Sequence, residues 1–261
     1  MPESVQYELA EGVATITLAR PDAMNSLTVE TKTELREAVE RARDDTTVRA
    51  VVLTGQGRAF CAGQDLREHA ANLEADLGLA GTLEHHYDPI VLALSRMPKP
   101  VVAAVNGVAA GAGLSFAMAC DLRIASEKAS FATAFTRIGL VPDSGMSWTL
   151  QRLVGRARAL ELLLLAEPVR ASEALELGLV NRVVPADELD AAARELAVRL
   201  AAGPTLAYGA VKAAVEFASA TDLRGALAKE AELQASCAAT TDHQNATKAF
   251  LRKEQPVFEA R

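Results

Sequence analysis

The chain has 261 residues, half of them hydrophobic but only 4% aromatic, which suffices for one large domain whose core is built mainly from Ala, Val and Leu. Lys and Arg number 27 against 34 Asp and Glu, a net charge of −7 that argues against non-specific nucleic-acid binding. Three cysteines without paired spacing (Cys61, Cys120, Cys237) point to reduced thiols in a cytoplasmic protein, the first residues lack the basic and apolar regions of a signal peptide, and no apolar run approaches the roughly 18 residues that span a membrane.

Residues 5–20 read as a hairpin: Val5, Tyr7 and Leu9 alternate, Glu11-Gly12 turns, and Val13, Thr15 and Thr17 alternate with Ala14, Ile16 and Leu18. Proline and an Asx/Ser cluster make 20–26 a loop. Thr28 is the expected cap of a helix to about residue 43, with Leu35 and Val39 one turn apart on its inner face. A buried strand over 48–54 leads into residues 57–66, a turn of small residues with exposed N–H groups, and Asp65 is placed to cap the next helix. Residues 66–97 are helical with a break near Gly78 and Gly81, a mobile and partly exposed stretch. Then come an apolar strand over 101–105, Asn106-Gly107, Val108-Ala109-Ala110, the turn Gly111-Ala112-Gly113 and a helix start. Further strands are expected over 122–126, 131–134 and 179–184, and helices over 148–154, where Trp148 reads as core, 156–166 and 171–177. After Pro185 the pattern is all helical: 189–202, 204–218, 222–239 and 243–253. The alternation predicts an α/β fold with parallel strands joined by helices, organised as a core over 1–185 and a helical region over 186–261 of one domain, the tail packing on the core or on a neighbouring subunit.

Several chemistries fail on spacing. Phe116 stands where a dinucleotide fingerprint needs its third glycine, no Gly-Lys-Ser/Thr follows a glycine loop, and no Gly-x-Ser-x-Gly elbow exists. His69, His85, His86 and His243 lack metal-ligand spacing and read as solvated helix positions, with pocket lining the alternative for His85-His86. Ser115 and Ser144 have no base nearby in sequence. What remains is two N–H-rich turns, each suited to an anion or oxyanion, and one acid, Asp143, between Pro142 and a flexible Ser144-Gly145.

Residues 58–66 (RAFCAGQDL), Val105-Asn106-Gly107 through Gly111-Ala112-Gly113, Gly139-Leu140-Val141-Pro142, and ASEALELGLVNRVVPAD over 171–187 together resemble the enoyl-CoA hydratase/isomerase (crotonase) superfamily across essentially the whole chain. The resemblance implies a crotonase-like spiral of ββα units with a C-terminal helical trimerisation region, and homotrimers or dimers of trimers. It implies a substrate carried as a coenzyme A thioester, with no separate cofactor and no metal. By position, Gln64 N–H and Ala112 N–H are the donors that hold a thioester enolate, a role that leaves the Gln64 side chain unconstrained. Ala23, Ala62 and Leu66 fall against the adenine end of coenzyme A, Gly111 joins the same binding set, and Arg58 meets a phosphate. Phe250 and Lys253 match a pair that completes the site of a neighbouring subunit.

The departures bear most on activity. Hydratases of this superfamily use two glutamates to activate water, and here Ser115 and Phe135 stand at those positions. Asp143 is left as the acid, which suits the subgroup that shifts double bonds. The run AFTRIGLVPDSG resembles the ring-epoxide isomerases of phenylacetyl-CoA catabolism and Δ3,Δ2-enoyl-CoA isomerases, although Gly145-Met146 replaces their usual Gly-Gly pair. The expected activity is therefore acyl-CoA isomerisation with Asp143 as proton shuttle. The alternatives are enoyl-CoA hydration of the fatty-acid β-oxidation type, dehalogenation with Asp143 as nucleophile, and coenzyme A binding without turnover.

Overall fold

The computed structural model describes residues 3–75 and 81–261, so the helix break expected at Gly78 lies outside the described residues. The hairpin is present: β1 (Val5–Ala10) and β2 (Val13–Leu18) pair antiparallel, with Val5 opposite Leu18. α1 (Val29–Asp44) begins at Thr28, whose hydroxyl accepts from Thr31 N–H at 3.2 Å. Leu35 and Val39 are fully buried on its inner face, each contributing about 2 kcal/mol of apolar burial.

Three similar units follow. The first is β3 (Ala50–Gly55), β4 (Ala59–Cys61), α2 (Leu66–Glu74), a single π turn at Leu83–Tyr87 and α3 (Asp88–Arg96). The second is β5 (Val101–Val105), β6 (Val108–Ala110) and α4 (Ala112–Ala119). The third is β7 (Leu122–Ser126), β8 (Ser130–Ala132), a 3-10 turn at Phe135–Ile138, α5 (Met146–Val154) and α6 (Arg156–Leu165). β9 (Val169–Arg170), α7 (Ala171–Glu176) and β10 (Arg182–Val184) close the series. The first strand of each unit joins a six-stranded sheet in the order β1-β2-β3-β5-β7-β10, and the second joins a four-stranded sheet in the order β4-β6-β8-β9. Pairing is parallel in both sheets apart from β1 with β2 and β8 with β9. Each turn of the chain thus adds one strand to each sheet and then a helical segment, which is a spiral of ββα units.

The spiral is the arrangement that the resemblance implies; the alternation of strands and helices by itself points only to parallel strands joined by helices, not to a second sheet. β4, β6 and β9 are two or three residues long, too short to show a period of two, and they build the second sheet. α4 is apolar apart from Ser115 and all eight of its residues are buried, so it runs through the middle of the molecule. α1 packs on the large sheet, and Leu35 and Val39 of α1, Ile90 and Leu94 of α3 and Leu114 and Phe116 of α4 share one core with Ile16, Leu53 and Ala103 of its strands.

The other face is covered by α8 (Leu189–Ala201), whose Leu189, Ala193, Ala197 and Ala201 recur every four residues and pack on Val13, Val52, Val102 and Ile124. α9 (Thr205–Ala218), α10 (Leu223–Ala238) and α11 (Thr241–Leu251) complete the chain. The Lys212 ammonium ties α9 to the sheet through Asp121 at 2.7 Å and the Lys99 carbonyl at 3.0 Å. Apolar side chains of these helices, Val211, Val215, Leu223 and Leu227 among them, stay more than half exposed in the single chain. Trp148, expected in the core, is 43% exposed and lies under the Arg152 guanidinium, because its α5 position faces outward. No helix among the described residues is long and apolar enough to cross a membrane.

Candidate active site

β4 and β6 are parallel neighbours in the small sheet, and each runs straight into an N–H-rich turn. The two turns touch: a side-chain carbon at Gly63 would stand 2.9 Å from the Ala110 carbonyl oxygen and 3.4 Å from the Ala112 nitrogen, so only glycine lets them approach. Gly111 sits at φ 53°, ψ −128°, a region that residues with a side chain avoid. Its N–H donates to Ala132 O at 3.0 Å and its carbonyl accepts from Ser115 N–H at 3.1 Å, which fixes the peptide carrying the Ala112 N–H. Ala112 is the first residue of α4, where an N–H has no intrahelical partner. Among the described residues neither Gln64 N–H nor Ala112 N–H donates to a protein group. Both residues line a cavity of about 380 Å³.

Asp143 lines the same cavity and is the only carboxylate to do so among the described residues. Burial raises its pKa above the ordinary carboxylate value; the Ser144 hydroxyl, donating to Oδ1 at 2.7 Å, acts against this, the Asp88 carboxylate reinforces it, and the Lys32 ammonium opposes it. The loop is held by backbone: Met146 N–H donates to Asp143 O at 3.0 Å, and Ser144 and Gly145 are both left-handed, at φ 52° and 74°. Ser115 is buried, and its hydroxyl lies 3.3 Å from the Asp143 carbonyl and 3.4 Å from that of Gly111. It therefore braces the two backbone segments of the site. Phe135 is buried and, with Leu66, Ile138, Leu140 and Val141, makes the cavity wall apolar.

The structure thus gathers Asp143, Gln64, Ala112, Gly111, Ala62 and Leu66 around one cavity. Ala23 is just outside, in a 3-10 turn whose next residue, Met24, accepts Ala62 N–H at 3.1 Å. Arg58 does not reach the cavity; it lines a separate groove with Thr17, Thr54 and Asn106 on the α8 side of the large sheet. Phe250, 81% exposed, and Lys253, just past the end of α11, are also apart from the cavity within one chain. His85 and His86 do not line it, whereas His69, read from sequence as solvated, does.

Sequence reasoning missed the side chains behind the Gln64 turn. Lys32 Nζ lies 3.2 Å from Gln64 Oε1, and the Tyr87 hydroxyl donates to the same oxygen. Gln64 Nε2 is 3.4 Å from Glu68 Oε1. The Gln64 side chain, expected to be free, is instead bound on both ends of its amide. Burial raises the Tyr87 phenol far above its usual value, with the Asp143 charge adding to the effect, so it stays a neutral donor. The available signal was Lys32 itself: it is three residues before Leu35 and seven before Val39, on the buried face of α1.

The fold is thus a spiral of ββα units in which two backbone N–H groups, without a protein partner among the described residues, line one cavity together with a buried acid. The chain belongs to the enoyl-CoA hydratase/isomerase family, whose model matches residues 8–261. It is 45% identical to a probable enoyl-CoA hydratase of Rhodobacter capsulatus, over 99% of this chain and 98% of that one. It is 40% identical to the 1,2-epoxyphenylacetyl-CoA isomerase of Escherichia coli K12, over 99% of both chains. The crystal structure of an enoyl-CoA hydratase from Bacillus anthracis superposes with a TM-score of 0.94 at 32% identity, covering 99% of this chain and all of that one.

Proposed function

We propose that this enzyme is an acyl-CoA isomerase that moves a double bond from the 3-position to the 2-position, or rearranges a ring epoxide, with Asp143 as its single proton shuttle. The observation that carries this reading is that Asp143 is the only carboxylate on the cavity among the described residues and faces an apolar wall that includes Phe135. In the 3-enoyl reaction, an Asp143 carboxylate oxygen takes the proton from C2. The C–H electron pair moves into the thioester, giving an enolate whose oxygen is held by Gln64 N–H and Ala112 N–H. Asp143 returns the proton at C4, and the double bond ends between C2 and C3. One acid serves both transfers because its raised pKa brings it nearer to neutrality. No separate cofactor is needed. In this reading the substrate is a coenzyme A thioester contacted at the cavity by Ala62, Leu66 and Gly111, with Ala23 at its edge and Arg58, outside it, left for a coenzyme A phosphate that extends beyond the cavity, in a cytoplasmic homotrimer or dimer of trimers in which Phe250 and Lys253 of one subunit complete the site of another. The exposed apolar faces of α9 and α10 suit such an assembly.

The likeness to a probable hydratase favours a second reading, water addition to a 2-enoyl-CoA. It has to proceed without an acid at Ser115 or Phe135. Purified 3-enoyl, 2-enoyl and aromatic acyl-CoAs, followed by mass, separate the two: isomerisation leaves the mass unchanged and hydration adds one water. Asp143→Asn is expected to slow isomerisation about a hundredfold or more with acyl-CoA binding nearly intact. Full activity in that variant overturns the mechanism.

A further inference from the structure

Lys32 is the most deeply buried charge near the cavity, with 1% of its side chain exposed. It stands on the stripe of α1 that otherwise holds Leu35, Val39 and Ala42, where an apolar residue packs at far lower cost than an ammonium. Its partners explain the exception. Besides Gln64 Oε1, it faces Glu68 Oε1 at 3.9 Å and lies 5.1 Å from the centre of the Tyr87 ring. Glu68 in turn accepts Val29 N–H through both carboxylate oxygens, at 3.1 and 3.0 Å, so the cluster closes back on the start of α1. The same segment grips the Gln64 turn by backbone: Leu27 N–H donates to Gly63 O at 2.8 Å, and Asp65 N–H donates to Leu27 O at 3.1 Å. The peptide between Gly63 and Gln64 follows a glycine at φ 85°, whose conformational latitude leaves its tilt to outside contacts. Leu27 holds its carbonyl edge, and the doubly bound Gln64 amide holds the side that bears the N–H.

We propose that Lys32 and Tyr87 are positioning residues for the isomerisation, fixing through the Gln64 side chain the direction in which Gln64 N–H meets the enolate oxygen. Neither lends an atom to the substrate in this role. Both act through Gln64 Oε1, so their effects converge on one donor. Burial lowers the Lys32 pKa, and the Glu68 and Asp143 charges counter this, so the ammonium is matched to the acids around it. The inference rests on Gln64 N–H being an oxyanion donor, and the test separates the two claims.

A saturated acyl-CoA labelled with carbon-13 at the thioester carbonyl reports polarisation of that carbonyl as a downfield shift in the bound state. In the wild-type enzyme the shift is expected. In Lys32→Met and Tyr87→Phe it is expected to shrink, with kcat down roughly tenfold to a hundredfold and KM little changed. In a Gln64→Ala background the Lys32→Met change is expected to cost almost nothing further, because its lever is gone. A wild-type shift preserved in full in both variants, with kcat unaltered, overturns the positioning role. Absence of any shift in the wild type overturns the oxyanion reading itself, and the positioning role with it. If Lys32→Met does not fold, Tyr87→Phe, which keeps the ring and removes only the hydroxyl, decides the matter alone.

Discussion

Replacing Gly111 with alanine tests the electrostatic half of the site without touching a polar group. Its backbone, at φ 53° and ψ −128°, lies where a side chain is strained. A methyl group there meets nothing nearer than Phe135 Cζ, at 3.9 Å, so the penalty is conformational and not a clash. Residues in such regions carry about 1–3 kcal/mol of strain. The molecule has two ways to meet that cost. It can keep the turn and lose stability, or relax the turn and rotate the peptide that carries Ala112 N–H. Hydrogen bonds from Gly111 N–H to Ala132 O and from Ser115 N–H to Gly111 O resist the second route. The two routes draw on the same 1–3 kcal/mol or so, equivalent to roughly fivefold to 150-fold in kcat, or to a Tm loss of about 2–4 °C for each kcal/mol retained as strain. Steady-state kinetics and calorimetry on the same preparation give both parts. Wild-type kcat together with wild-type Tm refutes the reasoning, since the strain then went nowhere.

The remaining predictions concern protonation. The folded-state pKa of Asp143 is raised by burial, so its favourable contribution is complete below the unfolded value of about 3.9 and is lost as pH rises through the folded value. Asp143→Asn is therefore expected to raise Tm, by more at about pH 8 than at about pH 5; a gain that is equal at both, or a loss at the higher pH, contradicts the assignment. Burial pushes the Cys61 and Cys120 thiols up to about 12, and both are fully enclosed, whereas Cys237 is only partly covered. A thiol reagent at about pH 8 is expected to label one cysteine quickly in the native protein and three after denaturation; two fast thiols in the native state refute it.

What the sequence disclosed depended on the range of the interaction. Thr28 and Asp65 were legible as caps because a cap bonds to N–H groups within three residues of itself. The Gly111 turn was legible because backbone that excludes side chains selects glycine. The second sheet was not, since strands of two or three residues carry no alternation and are defined by partners such as Val108 opposite Ser130, in another unit. The Lys32 cluster joins residues 32, 64, 68 and 87 across four elements, and no local pattern predicts that a lysine on an apolar stripe will find a glutamine there. Asp143 stood out because proline and glycine isolate it, but the buried hydroxyl of Ser115 beneath its carbonyl became visible only in three dimensions.

The proposed donors are backbone atoms in the turns that follow the adjacent strands β4 and β6, whereas the cavity wall comes mostly from side chains of the π turn and of residues 134–143, with Leu66 and His69 of α2. Strand spacing of about 4.8 Å is a property of the peptide ladder and is the same whatever side chains it carries. Substitution at Leu83, Phe135, Ile138 or Val141 can therefore redraw the space offered to an acyl chain while the spacing of the hole stays constant. Inheritance is divided accordingly: the spacing of the proposed donors is transmitted by topology, the direction of the one at Gln64 by Lys32 and Tyr87, and the space for an acyl chain by a few replaceable side chains. An engineer who wants a new acyl group has Leu83 and the stretch from Ala134 to Pro142 to rewrite and a backbone scaffold to leave alone.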